Sequence, residues 1–503
     1  MKKFIPIILI SFLFSYQNKI ELDSENTYNF LIAEYYFLSN NFSKANEYYS
    51  LIQDNINFQS YTLYKSIAES NLEIGKFEIA IDFYLKSYNL NKNNQDLIML
   101  IYNLYIILGD FNNAEFFLID ACTFNKNNYY LLDNLLNHFL SDKKLVESIE
   151  ILADMFNIKN IEFLDMINKA TILYNIFNDI TLINNIIDSH YNRFNNINFI
   201  KLKFIFSNLS NNFSNLENSY YILENNKEIS IEYSVIFCQK LVIINDFQTI
   251  HNILAPYYID NKISLDGLKL FIESNFKLNL KDSLVDISEY GYNNFPNNPI
   301  SYELFISSLI DNKDYTRASN IITIAKNKFP NYYIFNLFDA KIREINGDYN
   351  TAINLYNKIL TKNPNLIDAK HSLAKVYNLI GDYKECDNIF LELLEVDFEN
   401  IIFLNDFAFI IADRITSNEK ELIYAIQLIE YGFSIEPNNY QLMDTYGWIN
   451  YKLGNYEIAL EYIRKSLTIN KKTVTLKHLV EILKNMKEFD EANKVELQIL
   501  NDK

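Results

Sequence analysis

The chain has 503 residues, of which 49% are hydrophobic, and 63 acidic against 45 basic side chains give a net charge of −18 and a pI near 4.9. That much apolar surface excludes global disorder. An acidic balance spread along the chain rather than gathered in blocks excludes a phosphate-neutralising surface, and with it nucleic acid as a partner.

The first residues read as a targeting segment. Lys2 and Lys3 precede an apolar run from Phe4 to Phe14, and polar residues begin at Ser15. A basic start, a short apolar stretch and a small residue after it fit a secretory signal peptide over 1–15, and the run is too short for a membrane span. No Cys follows it to carry a lipid anchor. A short linker over 16–25 is expected next, and then the fold. The alternative is an uncleaved apolar anchor.

From there the chain repeats. Blocks 61–94 and 95–128 align through Gly75, Phe77, Ala80 and Gly109, Phe111, Ala114. Blocks 299–332, 333–366 and 367–400 follow one another without gaps. They place Lys313, Gly347 and Gly381 at position 15, Tyr315, Tyr349 and Tyr383 at 17, and Ala318, Ala352 and Cys386 at 20. Block 440–473 repeats the design with Gly447, Gly454, Tyr456 and Ala459. Gly at position 15 can take a positive φ and end the first of two helices. Small residues at 8 and 20, such as Ala68 with Ala80, let the two helices approach closely. Pro330 and Pro364 close second helices that they cannot continue.

Between Gly109 and Gly267 there is no Gly, but the phase persists. Asn178, Asn211, Asn245 and Asn279 fall at spacings of 33 or 34, and Asn is the residue that best replaces Gly in the left-handed conformation. Degenerate units are therefore expected near 163–196, 197–230, 231–264 and 265–298. One unit breaks the count. Ala408 and Ala425 are 17 residues apart where other repeats have 12, so 401–439 carries a five-residue insertion around Ala412–Glu419. Thr416 and Glu419 have capping-box spacing and are expected to start its second helix.

With the repeats aligned, the pattern resembles the tetratricopeptide repeat (TPR) family, strongly in 61–128 and 299–503 and weakly between. The run LNDFAFIIADR (404–414), AIQLIEYGFSIEPNN (425–439) and LMDTYGWINYKLGNYEIALEYIRKSL (442–467) is similar to the end of exported bacterial TPR proteins, particularly proteobacterial ones. The resemblance implies an all-α, right-handed superhelical α-solenoid of about fourteen helix–turn–helix repeats. Its divisions are N-terminal repeats over 26–162, degenerate ones over 163–298 and C-terminal ones over 299–503. It also implies a non-catalytic protein-interaction scaffold whose ligand site is the concave groove lined by the first helix of each repeat. The family's clamp for a chaperone's C-terminal carboxylate needs Lys, Asn and Lys/Arg at set groove positions in three consecutive repeats. No three repeats here supply them.

Positions 5, 9 and 12 of each first helix share one face. In the C-terminal repeats this stripe includes Lys341, Glu344, His371, Lys375, Asn405, Asp444, Trp448 and Tyr451. It is expected to grip other proteins or peptides, with Trp448 as anchor. Trp448→Ala with Lys375→Glu is expected to weaken capture without unfolding the array, because the core positions are untouched. Alternatively, Trp448 packs against the next repeat.

Catalytic, cofactor and metal motifs are absent: there is no HExxH, GxxxxGK[ST], GxGxxG or GxSxG, and the five His are scattered. Cys122, Cys238 and Cys386 are too far apart along a repeat array to pair, and are expected to be free and mostly buried. The reading is an exported, periplasmic or envelope-associated scaffold with no integral membrane span after signal cleavage. Its alternatives are a membrane-anchored adaptor and an enzyme-regulatory or glycan-binding subunit.

Overall fold

The computed structural model describes residues 24–54, 59–158 and 161–501. The signal-peptide assignment and all but the last two residues of the linker lie outside them, and Ser24 already opens the first helix. Among the described residues there are helices and turns but no strand. Twenty-eight α-helices run from Ser24–Leu38 (α1) to Phe489–Asn501 (α28), in fourteen consecutive pairs. This is an α-solenoid of TPR-type repeats. The chain divides into two compact units, one ending at Asp246 and the other beginning at Phe247. Within each unit helices pack chiefly on their sequence neighbours.

Each pair needs the chain to reverse in three residues, and one left-handed residue does it. Gly75, Gly109, Gly347, Gly381 and Gly454 have φ between 75° and 84°. Asn178, Asn211, Asn245 and Asn279 take φ of 47°, 53°, 59° and 61°, as the phase of the Gly-free stretch predicts. Lys313 does the same with φ 62°, and so do Asn40, Lys143 and Lys487. Thirteen of the fourteen repeats thus carry a left-handed residue between their helices, at intervals of 33 to 35 residues apart from one long gap.

Asn serves a second purpose. The side chains of Asn94, Asn128, Asn298, Asn400 and Asn439 each accept a backbone N–H at the start of a first helix, as in Leu97 N to Asn94 Oδ1 at 3.0 Å. Asp110, Asp314, Asp348 and Asp382 do the same for second helices. The core follows the repeat. Ala68, Ala80, Ala340, Ala352 and Cys386 are fully buried where two helices cross. A Cβ on Gly447 would meet Ile463 Cγ1 at 2.8 Å, so that crossing requires glycine. All three cysteines are free and buried.

Two places depart from the design. Phe163–Phe177 (α9) and Ile180–Phe194 (α10) are separated only by Asn178 and Asp179, and both helices end on a left-handed Asn. With so short a turn α9 makes slight contact with α10. It packs instead on Leu145–Met155 (α8) and Ile197–Leu209 (α11).

The second departure is the insertion. Ile401–Asp413 (α23) and Glu419–Ile435 (α24) are joined by five residues with no left-handed turn. The capping box expected at Thr416 and Glu419 lies two residues later. The Asn418 side chain accepts from Glu421 N at 3.2 Å, and the Glu421 carboxylate accepts from Asn418 N at 2.8 Å. Asn is as good a cap as Thr, and here it also completes the reciprocal pair. Arg414 anchors the loop. Its Nη1 and Nη2 donate to the two Asp387 carboxylate oxygens at 3.2 and 2.6 Å, its Nε donates to Asn378 Oδ1 at 3.2 Å, and its guanidinium lies over the Tyr383 ring. Bidentate and stacked pairing of this kind is specific to Arg.

No described helix is long and apolar enough to cross a membrane.

The turn residues can be exchanged as a test. A Cβ on Gly347 would meet nothing within 4 Å, so Gly347→Ala costs backbone strain alone, expected at about 1 kcal/mol. Lys313→Gly relieves the same strain and should stabilise by roughly 0.5 kcal/mol after the entropy of the unfolded glycine is counted. Urea unfolding of the two variants should shift in opposite directions.

Candidate functional site

The eight stripe residues all lie in the second unit, on Ile334–Ile345 (α19), Ile367–Leu379 (α21), α23 and Tyr440–Lys452 (α25). These are first helices of successive repeats, so several stripe residues meet side chains of the next first helix. The result is a ladder in which most polar atoms already have partners.

Lys341 Nζ pairs with Glu344 Oε1 at 2.9 Å, and the other Glu344 oxygen accepts from Tyr356 Oη at 3.1 Å. His371 Nε2 and Lys375 Nζ both reach Asp406 Oδ2 on the next first helix, at 3.0 and 3.4 Å. Burial pushes the Asp406 carboxyl up, but the His371 hydrogen bond and the Lys375 charge outweigh it and hold it below the usual carboxylate range. Asn405 Oδ1 accepts from Thr445 Oγ1 at 2.8 Å. Asp444 Oδ1 lies 3.0 Å from His478 Nδ1 on Thr473–Asn485 (α27), and Tyr451 Oη accepts from Asn485 Nδ2 at 2.7 Å.

Trp448 is the most enclosed member, 8% exposed. Its ring stacks on Tyr451 and on His478 of the next repeat, with centroids 5.0 and 4.2 Å away, and Lys452 sits over it. The indole N–H is buried and makes no hydrogen bond. Trp448 therefore packs against the next repeat, the alternative named for it above, and the expectation that replacing it leaves the core untouched is corrected. An indole at this spacing finds apolar cover as soon as the following first helix docks.

Asp406 and His478 belong to this ladder and were not in the stripe read from the sequence. Asp406 lies one residue past position 5, and His478 is at position 5 of the last repeat. Continuing the positional pattern one repeat further would have found His478. The side chains that keep accessible charge are Lys341 and Lys375, which lie 34 residues apart with ammonium-bearing side chains 44% and 43% exposed.

Two stretches match known families. Residues 264–397 match the family model described as Iml2/Tetratricopeptide repeat protein 39, and residues 440–473 match the tetratricopeptide repeat model. No curated protein matches the chain. Among solved structures, Cut9 with Hcn1 from the APC/C is similar over 95% of this chain and 94% of that one, with 13% identity and a TM-score of 0.42. Yeast Tom70 is similar over 95% and 92%, with 14% identity and a TM-score of 0.34. A tetratricopeptide repeat protein from Parabacteroides merdae covers 51% of this chain and 92% of its own, with 15% identity and a TM-score of 0.38. At such scores the fold rests on the helix pairs described above rather than on these likenesses. The chain is built of tetratricopeptide-type repeats, with recognisable family sequence at 264–397 and 440–473.

Proposed function

We propose that the chain is a non-catalytic scaffold that holds a partner protein or peptide along the first-helix stripe of its second unit, and that it is exported to act in the cell envelope. The observation that carries the binding reading is the ladder itself. It is a run of half-buried amide and carboxylate groups held in register by neighbouring repeats, with the ion-paired Lys341 and Lys375 side chains still 44% and 43% exposed one repeat apart. Such a surface offers pre-positioned charge and hydrogen-bonding groups at little entropic cost on binding. The basic and apolar start, Lys2 to Phe14, supports export.

The binding test uses a photo-crosslinking side chain in place of Lys375, on the stripe, and in a second variant in place of Lys384, exposed on the second helix of the same repeat. Partner adducts are expected from position 375 and not from 384. Adducts from 384 alone, or from neither, would contradict the stripe. Trp448→Ala is not a clean probe, because emptying the seam is expected to cost about 3 kcal/mol.

Export is checked by the mass of the chain recovered from a bacterial envelope fraction. A mature N-terminus near Tyr16 is expected; an intact Met1 would exclude a cleaved signal.

A further inference from the structure

In the first unit, three potential metal ligands from adjacent repeats converge on one point. Glu115 lies on Phe111–Phe124 (α6), the second helix of its repeat, and His138 lies near the end of Tyr129–Ser141 (α7) in the next repeat. Asp142 caps α7, one turn beyond His138. One ligand atom from each lies within 4.8 Å of the others.

The histidine shows what the cluster lacks. The side chain of His138 is 3% exposed. Its Nδ1 is paired with Tyr102 Oη at 3.0 Å, on Gln95–Ile107 (α5). Nε2 is buried and makes no hydrogen bond, although Glu115 Oε2 lies 3.4 Å away and Asp142 Oδ2 3.6 Å away. A buried ring nitrogen aimed at two carboxylates and bonded to neither is an unfinished arrangement. Four-coordinate zinc, with bonds of about 2.0–2.2 Å, sets neighbouring ligand atoms roughly 3.3–3.6 Å apart. The two distances from His138 Nε2 are those of the edges of such a tetrahedron.

We infer that Glu115, His138 and Asp142 form a site for a divalent transition-metal ion of the zinc class, which ties the third repeat to the fourth. His138 supplies Nε2, and Tyr102 Oη holds its Nδ1, as an outer hydrogen-bond partner orients a metal-bound imidazole. Asp142 Oδ2 and Glu115 Oε2 supply the charge. Ser141 Oγ sits on the other Asp142 oxygen at 3.4 Å. A water completes the tetrahedron on the open side, where the Asp142 side chain is 41% exposed.

Lys144 competes with the ion. Its Nζ is bonded to Glu115 Oε2, the oxygen the metal would take. Lys144 is one-third exposed and can turn outward to solvent.

The test titrates the full chain, stripped with EDTA, with Co²⁺ as a spectroscopic probe and then displaces it with Zn²⁺. One equivalent is expected to bind with the intense visible bands of a four-coordinate site. His138→Gln and Asp142→Asn should each weaken binding at least about tenfold, and Tyr102→Phe by roughly tenfold through the orientation of the ring. Lys144→Gln should tighten binding several-fold, a change no purely structural role predicts. If His138→Gln fails to fold, Asp142→Asn and Lys144→Gln still decide, because both side chains are partly exposed. Absence of a stoichiometric Co²⁺ complex would overturn the site. So would Asp142→Asn binding as tightly as the parent chain, or thiolate charge-transfer bands that place the ion on a cysteine.

Discussion

Everything in this fold depends on reversing the chain within three residues, which thirteen of the fourteen repeats do. A right-handed helix cannot turn back so tightly unless one residue adopts positive φ, at a cost of about 1–2 kcal/mol for most side chains. The chain meets that requirement with Gly in five repeats, Asn in five and Lys in three. Where none of these is present, between α23 and α24, the turn widens to five residues and Arg414 secures it through Asp387 and Asn378. The insertion is thus a different solution to the same constraint, held by charge-assisted hydrogen bonds in place of a left-handed residue.

Once the turns are set, the rest follows by stacking. Small residues at the crossing let paired helices close on each other, and each pair buries its remaining apolar face on the next. The first helices then lie side by side, so neighbouring stripe positions meet. That is why His371 and Lys375 share Asp406, why Asp444 finds His478, and why Trp448 is covered. The stripe is both the seam of the second unit and its candidate binding surface. Much of its polar capacity is spent internally, which leaves Lys341 and Lys375 as its accessible charges.

The repeat was legible in the sequence because its signals are local. A turn residue, an aromatic two places later and a small residue at the crossing recur along the chain, and Asn178 to Asn279 could be read as turns from spacing alone. What involved neighbours was not legible. Whether Trp448 faces a partner or packs against the next repeat stayed open, because its cover, His478, lies thirty residues on. The capping box forms at Asn418 and Glu421 rather than at Thr416 and Glu419, because the helix starts two residues later than that spacing implies. The slight contact of α9 with α10 comes from a turn one residue shorter than its neighbours. The Glu115, His138 and Asp142 cluster crosses two repeats and matches no linear motif, although the spacing of His138 and Asp142 on one helix face was visible.

The most direct test of a single register through the whole chain is hydrogen–deuterium exchange resolved to short peptides across 163–298, where no Gly precedes position 267. The account predicts protected helices separated by fast-exchanging peptides centred near Asn178, Asn211, Asn245 and Asn279, within the 33- to 35-residue interval of the turns elsewhere. Uniform fast exchange through this stretch, or protection with another period, would contradict it.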